Sequence, residues 1–417
     1  MKVLFVLECS ALMTNGTTAS CLRFANELNK KGHKVTVIGC ELKGKARPIE
    51  NYVEFKNYKV IIFDGLIHKE GFQFVKVEND KLNNLIKEND VIHFFLPFKL
   101  ANNARLIAEA YNKPVTGAFH LQPDSITSAI HMNNRFLNWC IYKGFYTYMY
   151  KRIDFIHCPS KMIADKLKEY KYDNQLRIIS NGISSFWHRV EAKKNPNYNN
   201  KFVVSMVGRL ADEKRQDLLI KAVKQSKHEK DIQLVLCGQG PNKHKLEKLC
   251  NKLKFTNKPI FEFLSQEQLR EFLSSIDLYV HCSDAEIEGL SCVEAFTCGV
   301  VPVISDSKLS ASSNFALCDE SLFKHGNYKD LATKIDYWFE HEKERLEYSK
   351  KYIELSKEYA LELQVTKFEK FLSDAIEYKK TNKAKPFNRR KDIKKQRRIF
   401  KKLLKAKKID ALPASIK

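Results

Sequence analysis

Lys2-Val-Leu-Phe-Val-Leu7, the turn Thr14-Asn-Gly16, then residues 19–31 and Val35-Thr-Val-Ile38 form the stretch that decides the fold. The first run is continuously apolar, as a strand buried on both faces must be. Cys21, Phe24, Ala25 and Leu28 recur at i, i+3, i+4 and i+7, which predicts one buried helix face, and Gly32 is a natural C-cap. A short apolar strand follows at 35–38. Strand, turn, helix, strand is a βαβ unit, and a βαβ unit implies a parallel sheet.

The rhythm repeats along the chain. Strands are expected at 90–96, 114–119 and 154–158, with helices at 102–111 and 161–170. Residues 184–200 lose the pattern, and Pro196 interrupts them. It restarts with strands at 202–207, 232–237, 278–281 and 301–304 and a helix over 217–223. The expected architecture is α/β: two doubly wound Rossmann-like domains facing a central cleft, with a basic C-terminal helical tail. The boundaries expected are an N-terminal Rossmann-like domain over 1–185 and a linker over 186–200. A second, C-terminal Rossmann-like domain over 201–355, closing helices over 356–378 and the tail over 379–417 follow.

Composition narrows the class. At 417 residues the chain exceeds the roughly 150 residues of one typical domain. Its eleven cysteines show no CxxC spacing, which favours buried reduced thiols over disulfides or zinc and hence a cytoplasmic protein. The opening apolar run is too short for a secretion signal, and no stretch approaches the roughly 20 apolar residues of a membrane span. Net charge is +23, of which residues 379–408 carry sixteen Lys or Arg against the single acid Asp392.

Doubly wound sheets bind ligands beyond the carboxyl ends of their strands, so the loops hold the chemistry. After Val207 comes Gly208-Arg209-Leu210-Ala-Asp-Glu213-Lys214, two cations before a helix, suited to a diphosphate. Solvated surface charge is the competing reading. The segment from Ser283 carries Glu286 and Glu294 with seven residues between them, Gly289 among these, and a helix following. A carboxylate accepts two hydroxyl hydrogen bonds, as a sugar or ribose diol offers. An ordinary acid pair at a helix start is the alternative.

The Glu-x7-Glu pattern around Gly289, with Cys298-Gly299 and Pro302, resembles family-four (group 1) retaining glycosyltransferases of the GT-B fold. Asn15-Gly16 with Ser20, Pro159-Ser160, Asn181-Gly182-Ile183, Gly208-Arg209-Leu210 with Glu213-Lys214, and Gly238-Gln-Gly240-Pro241 support it in the right order. The style of the first loop and of the acidic motif is most similar to bacterial diacylglycerol glucosyltransferases. The resemblance implies that Arg209 and Lys214 neutralise a departing nucleotide diphosphate. It further implies that Glu294 holds the ribose, Glu286 holds the donor sugar, and Gly16, Gly289, Leu290 and Ser291 line the phosphates and sugar. His120 matches the family's histidine beside the reacting sugar, with a structural role as the competing reading. No cofactor and no essential metal are implied, because fixed cations stabilise the leaving group. The missing glycine in Phe261-Glu-Phe-Leu264 leaves the base open.

The expectation is therefore a retaining hexosyltransferase. It takes a nucleotide-diphospho-sugar, a UDP-sugar by preference, to a lipid or lipid-linked acceptor at the cytoplasmic face of the plasma membrane. A soluble epimerase-like enzyme of the same fold and a nucleic-acid-binding protein are the alternatives. Ile393, Phe400, Leu403 and Leu404 among dense cations read as a basic amphipathic helix, so an anionic membrane surface is the expected partner of 379–408 and nucleic acid the disfavoured one. The aromatic stretch Phe136 to Tyr150 suits either a membrane interface or a core helix.

Overall fold

The computed structural model describes residues 1–8, 16–42, 46–58, 74–124, 127, 134–198, 200–382 and 390–416. Thr14 and Asn15 of the first loop, and 383–389 of the basic segment, lie outside the described residues.

The described chain holds two parallel sheets. The first contains β1 (Lys2–Val6), β2 (Lys34–Cys40), β3 (Tyr52–Phe55), β4 (Val91–Phe94), β5 (Val115–Ala118), β6 (Phe155–Cys158) and β7 (Gln175–Ile178). Its order is β3-β2-β1-β4-β5-β6-β7, every pairing parallel. The second contains β8 (Phe202–Val207), β9 (Ile232–Cys237), β10 (Ile260–Glu262) and β11 (Leu278–His281). After the short strand β12 (Ala285–Glu286) it continues with β13 (Val301–Ser305) and, after β14 (Leu309–Ser310), β15 (Leu322–Phe323). Its order is β10-β9-β8-β11-β13-β15. Both orders run outward from the first strand, then reverse, which is the doubly wound scheme, with switch points at β1/β4 and β8/β11. The α/β, two-Rossmann expectation is met.

The helices arise where the periodicity placed them. The helix Gly16–Lys30 buries Cys21, Phe24, Ala25 and Leu28, the i, i+3, i+4, i+7 set, and ends before Gly32 at φ +85°. Lys161–Glu169 starts on Ser160, whose hydroxyl accepts from the Ile163 amide, which explains Pro159-Ser160.

Contacts divide the chain into one unit of Met1–Pro123, Met132–Ile179 and Gln364–Lys417, and another of Asp124–His131 and Ser180–Leu363. Residues 186–200 run along the second unit, with Trp187 buried in its core and Lys194 paired with Asp277. Within 356–378, the helix Leu361–Thr381 starts in the second unit and continues in the first. There Phe368 and Phe371 pack on His93 and His157.

The basic segment differs from the expectation of a lipid-facing amphipathic helix. Arg390–Lys405 is a helix, but Ile399, Phe400 and Leu403 are buried in the first unit. Phe400 meets Tyr111 edge-on at 5.6 Å, Gln396 donates to the Leu106 carbonyl, and Asp392 pairs with the fully buried Arg105 at 3.0 Å. An apolar stripe is drawn to the nearest apolar surface, and the helix Lys99–Ala110 supplies it. The basic face, Lys394, Arg397, Arg398, Lys401, Lys402 and Lys405, lines open surface, and Leu404 of the expected apolar set is exposed.

Candidate active site

At the switch point of the second sheet, the loops after β8 and β11 bring opposite charges together. After Val207 the chain makes a one-turn 3-10 helix, Asp212–Lys214, and Arg215 then adopts a left-handed φ of 54° before the helix Gln216–Gln225. Arg215 is held there by ion pairs to Asp217 at 3.0 Å and Asp284 at 3.2 Å. This abrupt reversal turns Lys214 toward the acidic loop, where its Nζ contacts Glu286 Oε1.

Ser283 Oγ donates to the same Oε1 at 3.1 Å, and His281 Nε2 stands 3.5 Å from it. Every one of these contacts falls on Oε1, which leaves Oε2 of Glu286 for a ligand. Burial works to raise this carboxyl, but Lys214 and the His281 ring outweigh it and hold it well below the usual carboxylate range. Glu286 is therefore a fixed anion, shaped to accept hydroxyls rather than to donate a proton.

Gly289 begins the helix Leu290–Thr297 at φ +84°, and a Cβ there would lie 2.0 Å from Ser312 Oγ. Both restrictions demand glycine. Leu290 is half-buried against the core, and Ser291 on the first turn lies 3.3 Å from the Tyr279 hydroxyl. Glu294 follows on the same helix. Burial and then Cys292 push the Tyr279 hydroxyl well above its usual range, and the charges of Glu286 and Glu294 add to the effect. Arg209 pairs with Glu213 at 2.9 Å and is more exposed than Lys214 (41 % against 20 %). It belongs to the rim.

Gly238 and Gly240 have a packing reason. A Cβ on Gly238 would sit 1.9 Å from the Gly208 carbonyl oxygen, and one on Gly240 2.3 Å from that of Leu210. They let two loops pack backbone on backbone, which supports the loop that follows β8.

The first unit holds the remaining expected residues. His120 follows β5, buried, stacked on Phe95 at 5.7 Å, and its Nε2 has no partner. Burial, then His157, drives its pKa well below the ordinary range, so it is a neutral imidazole. Gly16 opens its helix in open space, and a Cβ there meets nothing within 4 Å. Its own packing does not require glycine.

Three residues escaped the sequence reading. Glu288, 4 % exposed, accepts from the Asn181 backbone and side-chain amides and from the Ser180 hydroxyl, so the acidic loop is tied to the Asn181-Gly182 turn. Glu8, two residues past β1, accepts from the Leu100 amide at 3.1 Å while its Oε1 is buried without a partner. His281 is the third. Glu288 could have been found, since it lies inside the acidic motif; Glu8 and His281 read as strand ends. Among the described residues no group of three or more His, Cys, Asp or Glu has metal-holding geometry.

Known proteins match this arrangement. A family model described as "Glycosyl transferases group 1" matches residues 189–355, and one described as "Glycosyltransferase Family 4" matches residues 14–185. The chain is a group 1 glycosyltransferase. Both family models fall on the doubly wound halves, and the first spans every charged residue of the second unit's site.

Among curated relatives of this glycosyltransferase, a GDP-mannose-dependent alpha-mannosyltransferase of Corynebacterium glutamicum is 25 % identical over 72 % of this chain and 71 % of its own. An alpha-monoglucosyldiacylglycerol synthase of Acholeplasma laidlawii is 26 % identical over 73 % of this chain and 80 % of its own. Among solved structures, Anabaena Alr3699/HepE in complex with UDP superposes with a TM-score of 0.72 at 16 % identity, covering 90 % of this chain and all of that one. This last likeness shows the GT-B fold.

Proposed function

We propose that this group 1 glycosyltransferase moves a hexose from a UDP-sugar to a lipid or lipid-linked saccharide acceptor at the cytoplasmic membrane face, with retention of configuration. The observation that carries the reading is the Lys214–Glu286 pair at the second switch point. It supplies a cation for the pyrophosphate and, on Glu286 Oε2, a free acceptor for a sugar hydroxyl. Glu294 takes the ribose diol and Arg209 screens the phosphates from the rim. The leaving phosphate oxygen takes the acceptor proton as the new bond forms on the same face, so no protein nucleophile enters. His120, neutral and buried, serves the acceptor side as a hydrogen-bonding group and not as a charge.

The diacylglycerol and UDP names among the relatives support a lipid acceptor and a uridine donor; the mannosyltransferase supports guanosine as the rival. A thermal-shift screen of UDP-, GDP- and ADP-sugars decides the base, and NMR of the product's anomeric proton decides the stereochemistry. The reaction is metal-independent in this reading. EDTA should leave the rate unchanged, and a rate restored only by Mg²⁺ or Mn²⁺ would overturn that part.

The membrane reading rests on two surfaces of the first unit. Phe136 and Trp139 on the helix Arg135–Tyr148 are 73 % and 49 % exposed and stack at 6.3 Å, while Tyr142 and Tyr146 of the same helix are buried. The basic face of Arg390–Lys405 adds roughly 1 kcal/mol per cation near an anionic leaflet. Because that helix is part of the fold, charge reversal is the fair test, not deletion. Changing Lys394, Arg397, Arg398 and Lys401 to Glu should abolish pelleting with phosphatidylglycerol vesicles while thermal stability holds. Undiminished pelleting sinks the electrostatic part, and preferential retention on DNA of equal charge would revive the nucleic-acid reading.

A further inference from the structure

His281 ends β11 with its ring 1 % exposed. Its Nδ1 lies 3.3 Å from the Tyr279 hydroxyl. Its Nε2 points at Glu286 Oε1 from 3.5 Å, beyond a full hydrogen bond, and is buried without another partner. A buried polar nitrogen left unpaired is costly, and the group it faces is a carboxylate, which only accepts. Nε2 must therefore present an N–H to that oxygen, while Nδ1 shares the Tyr279 hydroxyl with Ser291 Oγ and the Val207 carbonyl. Burial raises the Tyr279 pKa, so its hydroxyl remains a donor.

The oxygen that His281 faces is already engaged by Lys214. A diphosphate carries more charge than one carboxylate and competes for that ammonium. If Lys214 moves to the phosphate, Glu286 loses its strongest partner at the moment it must hold the sugar. The imidazole N–H is aimed at the vacated place without another partner, and Ser283 Oγ, already donating to Oε1 at 3.1 Å, keeps the carboxylate from swinging away.

We propose that His281 is the positioning residue for Glu286: as the donor draws Lys214 onto its phosphates, His281 Nε2–H closes on Oε1 and keeps Oε2 directed at the sugar. The inference rests on the proposed donor site and deepens it. The ring acts through its Nε2–H, so an amide of similar reach replaces it and an apolar isostere does not.

The test uses the full chain with His281→Leu and His281→Gln, titrated calorimetrically with UDP-glucose and with UDP, alongside kcat and KM. If the donor screen selects guanosine, GDP-mannose and GDP replace them. For His281→Leu, affinity for the sugar nucleotide and kcat/KM should each fall about tenfold, while affinity for the bare nucleotide changes less than about twofold. His281→Gln should recover most of the loss. Equal loss for nucleotide and sugar nucleotide, as a packing defect would give, overturns the proposal. So does a Leu variant with parental kcat/KM, or a Gln variant no better than Leu. A parental chain that binds no sugar nucleotide at all overturns the donor-site reading itself, and this inference with it.

Discussion

Glu8 and Glu286 each stand a few residues beyond a switch-point strand, Glu8 after β1 in the first sheet and Glu286 after β11 in the second. Their chemistry is opposite. Glu8 is 2 % exposed, and burial outweighs the Leu100 and Ala101 amides and Lys99, pushing its pKa up to about 8. Glu286 is nearly as enclosed, yet Lys214 and His281 reverse the outcome and keep it ionised. One fold topology thus produces a carboxylic acid at one edge and a carboxylate at the other, and the difference is a fixed cation within contact. In the proposed reaction the second edge, with its fixed cation, takes the anionic ligand. The first presents neutral Glu8 and neutral His120, each with an unpaired buried atom.

Lys214→Ala puts the contrast under the greatest strain. It should lose at least ~2 kcal/mol of transition-state stabilisation, or about thirtyfold in kcat/KM, and near-normal turnover would dissolve the distinction between the edges. Gly289→Ala attacks the geometry that aims the acidic loop. A left-handed φ and the collision with Ser312 should destabilise the second unit by about 1–3 kcal/mol, read as a fall in Tm.

Glu8→Gln keeps a carbonyl for the Leu100 amide but cannot ionise. In the parent, folded and unfolded chains are both protonated at low pH. As pH climbs past the ordinary carboxylate range toward 8 the unfolded chain releases its proton first, so parental stability declines across that window. The variant should therefore gain on the parent between pH 5 and 8 by about 1–2 kcal/mol in denaturant unfolding; parallel pH profiles would mean Glu8 is not held protonated. Arg209→Ala, on the exposed rim, should cost least, about 1 kcal/mol in kcat/KM. A loss matching that of Lys214→Ala would move Arg209 into the centre of the site.

Both sheets were legible because their strands are continuously apolar and their helices keep a strict 3.6-residue period, as at Cys21, Phe24, Ala25 and Leu28. Lys214 and Glu286 were legible as a motif, and the structure brings them into contact across 72 residues. What stayed hidden depends on partners far away in the chain. The apolar face of Arg390–Lys405 looked available to lipid because Leu106 and Tyr111, which help to cover it, stand nearly three hundred residues earlier. Glu288 went unread because Ser180 and Asn181, which hold it, stand more than a hundred residues earlier. What Gly238 and Gly240 admit is visible only with Gly208 and Leu210 against them.

The helix Leu361–Thr381 leaves the second unit and completes the first, setting Phe368 against Phe5 and Phe24. Vectorial synthesis therefore reverses the usual sequence of events. The earliest strands to leave the ribosome wait, with their aromatic surface uncovered, until almost the whole polypeptide has been translated. Halting the ribosome just after residue 363 should leave a nascent chain whose later half is protease-resistant and whose earlier half still depends on a chaperone.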